Sequence, residues 1–286
     1  VQLLSSDGGS ILYRVRCKDD EFLTAKIRNS PGHRFIEARG THVELPVVCL
    51  HGILGTADEW SRAAECLAAE GYHVFVPSIP FDSVPLRELS VEGIAGYVDR
   101  FVKAMQLGPF VLAGNSLGGQ IALRYVLDHP DSVVGLVLAG SAGLYEVPLG
   151  TSFITRSSKE YLRKSTAVAF YDPAHADDAL VERLHKVLNN RSIASRMIRL
   201  TRDSQRQNFR ERLGEIQTPT AVIWGREDAV TPPDVAYQFA SDLPNAELRF
   251  ISKCGHAPMI EWPNKFGQHI AQFLRNFTSD TTLHPA

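Results

Sequence analysis

From Pro46 onward the chain alternates short, wholly apolar runs with longer stretches whose apolar residues recur at helical spacing. Val47-Val48-Cys49-Leu50, Val74-Phe75-Val76-Pro77, Phe110 to Ala113 and Val133 to Leu138 read as strands. Between them, Trp60 to Glu70 carries Ala63, Ala64, Leu67 and Ala68 on one helical face and is stopped by Gly71. Val91 to Leu107 and Leu117 to Asp128 are the next two predicted helices. Strands that are apolar on both faces, alternating with amphipathic helices, predict a parallel sheet covered on each side.

That pattern stops between about Leu144 and Leu213, where helices are predicted at Lys159 to Thr166, Asp177 to Asn189 and Ile193 to Glu211. It resumes with a strand at Thr220 to Trp224, a helix near Val235 to Ala240, a strand at Glu247 to Ile251 and a closing helix from Asn264 to Phe277. A strandless stretch flanked by two parts of one strand pattern is expected to lie over the sheet as an insertion. The expected organisation is therefore a core of residues 1–143 and 214–286 with a helical cap at 144–213. Residues 1–45 are less regular, with short strands at Ile11 to Val15 and Phe35 to Ala38, a charged stretch at Asp19-Asp20-Glu21 and a turn at Ser30-Pro31-Gly32. The N-terminal 30 residues read as an extra hairpin on a sheet edge, and Ser279 to Ala286 as a disordered tail.

Composition narrows the class without changing this picture. With 44% hydrophobic and 22% charged residues over 286 positions, the chain has the material for a full core, which excludes disordered and collagen-like readings. Lys+Arg 30 against Asp+Glu 32 leaves −2, and no basic run is present to track a phosphate backbone, so no nucleic-acid partner is expected. The longest apolar runs, Leu45 to Leu50 and Val133 to Ala139, fall far short of the roughly 20 residues of a membrane span. Val1 to Asp7 lacks a basic start followed by an apolar run, so no secretory signal is expected there, and the expected location is cytoplasmic. Cys17, Cys49, Cys66 and Cys254 are scattered and form no metal knuckle, and the ten histidines include no H-x-x-x-H pair. The expectation is reduced thiols, no metal and no cofactor, a small-molecule substrate as partner, and a homodimer as an allowed assembly.

The chemistry concentrates in loops that follow strands. Gly114-Asn115-Ser116-Leu117-Gly118 matches G-x-S-x-G between a predicted strand and a predicted helix, a turn whose small flanks let the central side chain project at a helix N-terminus. A serine hydroxyl needs a base, and the base an orienting carboxylate. The strand ending at Trp224 is followed by Gly225-Arg226-Glu227-Asp228 and the one ending at Ile251 by Lys253-Cys254-Gly255-His256, giving the order Ser, acid, His. Loop register favours Asp228 over Glu227 as the acid. His256 sits in a Gly-flanked loop after the last strand, whereas His73 borders a strand and His175 and His185 belong to the insertion. For an oxyanion hole, Leu117 offers a backbone N–H, and the loop His51-Gly52-Ile53-Leu54-Gly55-Thr56 offers that of Ile53, with Leu54 as the alternative.

Through these four motifs, from about Phe35 to Phe277, the chain resembles the α/β-hydrolase family. The resemblance implies an α/β fold with a mostly parallel eight-stranded sheet, helices on both faces, a helical cap inserted after the sixth strand, and Ser116, Asp228 and His256 as the triad. Members with Asp at the elbow, the epoxide hydrolases and haloalkane dehalogenases, are not matched. The chain is also similar to the meta-cleavage-product hydrolases, which break a C–C bond in vinylogous 1,5-diketones, in Asn115, in Ser252 to His256 and in a cap arginine to which Arg183 would correspond. It departs from them at Ile53-Leu54, where they carry a glycine-rich loop, and at Ala257, where they carry an aromatic residue. The expected function is a carboxylesterase acting on small or medium acyl esters, with C–C hydrolysis as the alternative and a receptor-like, non-catalytic member as a third reading. Expected substrate contacts are Asn115, Leu144, Phe153, Phe170 and Arg183, with Ile154 and Met197 as further apolar candidates.

Overall fold

The computed structural model describes residues 2–7, 10–16, 22–30, 33–40, 45–147 and 158–278, with side chains over 33–40, 45–147 and 158–275. Its centre is one sheet. Strands β1 (Gln2–Asp7), β2 (Ser10–Arg16), β3 (Phe22–Ser30) and β4 (His33–Arg39) pair antiparallel in chain order. They are followed by β5 (Pro46–Leu50), β6 (His73–Pro77), β7 (Phe110–Asn115), β8 (Val133–Ala139), β9 (Thr220–Gly225) and β10 (Ala246–Ile251). The spatial order is β1-β2-β3-β4-β6-β5-β7-β8-β9-β10. The six strands from β5 onward are parallel, and β4 joins them antiparallel through β6.

Among the described residues the sheet thus has ten strands, not eight, and the insertion follows the eighth strand in the chain. The extra strands, β1 and β3, lie at the N-terminal edge, and β3 runs from just after the acidic stretch up to the Ser30-Pro31-Gly32 turn, where no strand is predicted. Its polar Thr24, Lys26 and Arg28 alternate with Leu23, Ala25 and Ile27, the period-two pattern of a strand.

Period two also divides the core. Val48, Leu50 and Leu112 face one side with α2 (Val91–Ala104), α3 (Leu117–Asp128) and α7 (Pro233–Asp242). Val47, Cys49, Val111 and Ala113 face the other with α1 (Ser61–Ala69) and α9 (Pro263–Thr278). Fully burying each large aliphatic side chain stabilises the fold by roughly 1.5–3 kcal/mol, which fixes the strand register. A four-residue helix, α8 (Pro258–Glu261), which the apolar spacing does not signal, precedes α9.

Between β8 and β9 lie α4 (Lys159–Ala167), α5 (Asp178–Asn189) and α6 (Arg191–Arg206). Their starts are set by side chains that accept otherwise unpaired N–H groups: Ser158 from Tyr161, Asp177 from Leu180, and Asn190 from Ser192 and Ile193. Entry and exit of the segment are closed on each other, since Phe209 donates its N–H to the Gly143 carbonyl (2.8 Å) and the Asn208 amide donates to the Leu144 carbonyl (3.1 Å). The far end of α6 is tied to the sheet-covering helices. Asp203 accepts from Val91 N–H at the start of α2, and the Gln120 amide of α3 donates to the Ser204 and Gln207 carbonyls.

Among the described residues no helix is long and apolar enough to cross a membrane, and no group of three or more His, Cys, Asp or Glu could hold a metal ion. Among the described residues Cys49, Cys66 and Cys254 form no disulfide with one another; Cys17 and the 279–286 tail lie outside the described residues.

Candidate active site

The order of the parallel strands reverses at β5, which lies between β6 and β7. In open α/β sheets the crevice beyond the strand C-termini at such a reversal is where ligands bind. The register carries the sequence motifs there: Leu50 pairs with Gly114, Asn115 with Ala139, Ala139 with Ile223, and Gly225 with Ile251. The loops after β5, β7, β9 and β10 therefore converge.

Ser116 occupies the turn between β7 and α3 with φ 55° and ψ −123°. A non-glycine residue held in that region costs of order 1–3 kcal/mol, and here the surroundings leave no alternative. A Cβ on Gly114 would stand 2.3 Å from the Gly118 carbonyl oxygen, and one on Gly118 would stand 2.3 Å from that of Leu50. Only glycines at both flanks let helix and strands approach this closely. The Ser116 carbonyl accepts from the Gly119, Gln120 and Ala142 N–H groups, which pins the turn.

Asp228 and His256 meet as their chain order suggests. Asp228 is buried, its Oδ1 accepting from the Val230 and Thr231 N–H groups (2.8 and 2.9 Å) and its Oδ2 lying 2.9 Å from His256 Nδ1. Because a carboxylate only accepts, Nδ1 carries the proton and Nε2 keeps its lone pair. Burial works against the imidazolium of His256, but the charge and hydrogen bond of Asp228, with the charge of Glu146, outweigh it and raise the His256 pKa. Glu227 is engaged elsewhere, accepting from Cys254 N–H at 3.0 Å and so binding the acid loop to the histidine loop. Thr231, absent from the sequence reading, donates its hydroxyl to Asp228 Oδ2 (2.8 Å). The Asp-x-x-Thr spacing after a strand was the available signal for it.

A cavity of about 1090 Å³ opens over these groups, bounded by Ile53, Ser116 and His256 below and by Phe170, Arg183 and Met197 of the helical segment above. Among the described residues, no acceptor takes the backbone N–H of Ile53 or of Leu117. The buried His51 shapes the loop that carries Ile53. Its Nε2 accepts from Ile79 N–H (3.0 Å), which leaves Nδ1 protonated toward the Gly52 carbonyl (3.0 Å). Burial, aided by the Arg183 charge and opposed by the Gly52 contact, holds the His51 pKa down at about 4.

The expected substrate contacts fare unevenly. Phe170 and Met197 line the cavity. Asn115 borders it, yet its amide is spent on the backbone, donating to the Ala139 and His256 carbonyls at 2.9 Å each. Leu144 does not line the cavity: next to the segment's closing hydrogen bonds, it packs against the main core. Phe153 and Ile154 lie outside the described residues. Arg183 reaches the cavity wall, but its guanidinium donates to the Leu54 carbonyl and to Glu59 Oε1 (2.7 Å).

Glu146 was not foreseen. Its carboxyl lines the cavity without a hydrogen-bond partner among the described residues, and burial, with the Asp228 charge, raises its pKa against the opposing influence of His256. It lies in the segment after β8, seven residues beyond Ala139, and shares the cavity wall with Ser116 and His256.

A profile described as alpha/beta hydrolase fold matches residues 46–167 and 198–263, omitting the middle of the helical segment. The chain is 32% identical over 252 residues to a 2-hydroxy-6-oxononadienedioate/2-hydroxy-6-oxononatrienedioate hydrolase from Paraburkholderia xenovorans, covering 80% of this chain and 86% of the relative. It is 25% identical over 274 residues to human monoacylglycerol lipase ABHD6, covering 86% of this chain and 77% of the lipase. The crystal structure of MGS-MChE2, an alpha/beta hydrolase enzyme from a lagoon-sediment metagenome, superposes with a TM-score of 0.72 at 29% identity, covering 88% of this chain and 99% of that one. With the matched profile extending across the six parallel strands, the elbow and the histidine loop, this chain belongs to the α/β-hydrolase family and is a hydrolase.

Proposed function

We propose that the enzyme hydrolyses uncharged carboxylic esters through an acyl-serine intermediate on Ser116, beneath a helical cap formed by residues 144–213. The observation that carries this is the strained Ser116 opening onto the same cavity as His256, whose Nδ1 is held 2.9 Å from the buried Asp228 carboxylate. His256 takes the Ser116 proton at Nε2 as the oxygen adds to the ester carbonyl. The oxyanion forms against the Ile53 and Leu117 N–H groups while Asp228 stabilises the imidazolium. His256 then gives its proton to the departing alkoxide, and a water deprotonated by His256 releases the acid and restores Ser116. Removing one oxyanion donor of this kind typically costs about 10²–10³ in rate, so two backbone groups carry much of the catalysis.

Two features favour an uncharged substrate, and a third weighs against a planar dienol. The guanidinium of Arg183 is neutralised by Glu59 and Glu146 places a carboxyl in the cavity wall, while Ala257 provides no flat partner after the histidine. The cavity is large enough for a medium acyl chain, sites for small organic ligands commonly running to about 300–1,000 Å³. The second reading, hydrolysis of a C–C bond in a vinylogous 1,5-diketone, draws its support from the relative that is 32% identical. Parallel assays separate them. Turnover of p-nitrophenyl butyrate that far exceeds decay of a ring-cleavage dienolate supports the ester reading, and the reverse ratio replaces it.

A further inference from the structure

We propose that Arg183 is a positioning residue through which the cap sets the oxyanion loop, instead of a receptor for a substrate carboxylate. The inference rests on the acyl-serine reading above and deepens it.

Arg183 lies on α5, whereas both of its acceptors, the Leu54 carbonyl and Glu59, lie in the loop and turn that follow β5. Two rigid peptide units connect the guanidinium to the proposed oxyanion donor. The Leu54 carbonyl that Arg183 holds shares its planar unit with Gly55 N–H, and Gly55 N–H donates to the Gly52 carbonyl at 3.1 Å. The Gly52 carbonyl in turn shares its planar unit with Ile53 N–H. Fixing the first plane therefore fixes the second, and with it the direction of the donor. His51 Nδ1 supports the same Gly52 carbonyl from the core side, so the cap and the sheet hold this peptide together.

A second, independent contact acts on the same residue. Leu54 has φ 60°, a left-handed conformation that costs an L-residue roughly 1–2 kcal/mol, and its side chain packs against Leu162, Val181 and Leu188 of the cap. Both the carbonyl and the side chain of this strained residue are thus held by cap helices. Glu59 is part-buried, its side chain 19% exposed, and the Arg183 charge opposes the rise in pKa that burial imposes on it. The ion pair is partly shielded from water at 2.7 Å, and truncating one partner leaves the other unpaired.

The experiment is steady-state kinetics on p-nitrophenyl butyrate and on mono-p-nitrophenyl succinate for wild type, Arg183→Ala and Arg183→Lys, with active sites titrated by a fluorophosphonate. The expected result for Arg183→Ala is a fall in kcat of about ten- to a hundredfold per titrated site, a fraction of the loss from deleting an oxyanion donor. KM for the neutral ester should stay within about twofold, and added guanidinium at non-denaturing concentration should recover part of kcat. Arg183→Lys, which keeps the charge but not the fork, should fall between the two and supplies the comparison if Arg183→Ala does not fold. An unchanged kcat per titrated site overturns the proposal, as does a rise in KM confined to the succinate ester, which would make Arg183 a carboxylate receptor. Failure of the wild type to turn over esters or to react with the fluorophosphonate would instead remove the acyl-serine reading itself.

Discussion

The amide of Asn115 donates to the backbone carbonyl of His256 across 2.9 Å, so the residue that precedes the proposed nucleophile holds the loop that carries the proposed base. The same nitrogen also donates to the Ala139 carbonyl, and Asn115 is buried. One side chain therefore ties the ends of β7 and β8 to the histidine loop.

Asn115→Ala leaves the His256 carbonyl without its donor, worth about 1–3 kcal/mol when orphaned, and leaves the Ala139 carbonyl with only the Ser116 N–H at 3.1 Å. The expected outcome is a loss of roughly 2 kcal/mol or more in chemical denaturation, with a fall in kcat larger than any change in KM. Asn115→Asp faces both carbonyls with an acceptor and should be worse on both counts. Wild-type stability and kcat in either variant would contradict this role.

Glu146 adds negative charge near His256 and helps raise its pKa. A general base acts only when neutral, so kcat/KM should rise with pH through the His256 pKa, with its acid limb centred above the ordinary histidine value of about 6.5. In Glu146→Gln that limb should move to lower pH, because one influence favouring the imidazolium is gone. The same variant should gain on the mono-p-nitrophenyl succinate ester relative to the butyrate, since a carboxyl no longer faces the anion. A pH–rate profile that does not move argues against coupling between the two groups.

His51 governs stability in the opposite sense. Its folded pKa is depressed to about 4, so the native state keeps the ring neutral while the unfolded chain protonates it below about 6.5. The contribution is complete above pH ~6.5 and is lost as pH falls toward 4, amounting to on the order of 3 kcal/mol at the end of that window. His51→Gln, whose amide oxygen can still accept from Ile79 N–H, should be less stable at neutral pH but show a shallower decline between pH 6.5 and 4. Denaturation midpoints measured across that range check it, and an unaltered slope counts against the assignment.

The parts of the molecule that local pattern controls were legible in the sequence. Leu117–Asp128 has the predicted bounds because a strand, a glycine pair and an apolar face all agree there, and the Ser, Asp and His positions follow from loops at strand ends. β3 carried its period-two signal too, but Lys26 and Arg28 masked it beside the acidic stretch. What could not be read were contacts made across long separations. Arg183 meets Glu59 over 124 positions, and nothing local distinguishes an arginine that clamps a loop from one that receives a carboxylate. Leu144 likewise read as a wall residue from its apolar character and place in the chain, although the closure of the segment's ends against each other packs it, partly buried, against the core.

The central claim is that Ser116 carries the acyl group during turnover. It is tested most directly by quenching the enzyme in acid during steady-state hydrolysis of p-nitrophenyl butyrate and locating the adduct by peptide mass mapping. One butyryl group on the peptide containing Ser116, absent from Ser116→Ala together with nearly all of the activity, is the expected result. Turnover with Ser116 unmodified, or a Ser116→Ala variant that hydrolyses the ester at the wild-type rate, would contradict the account.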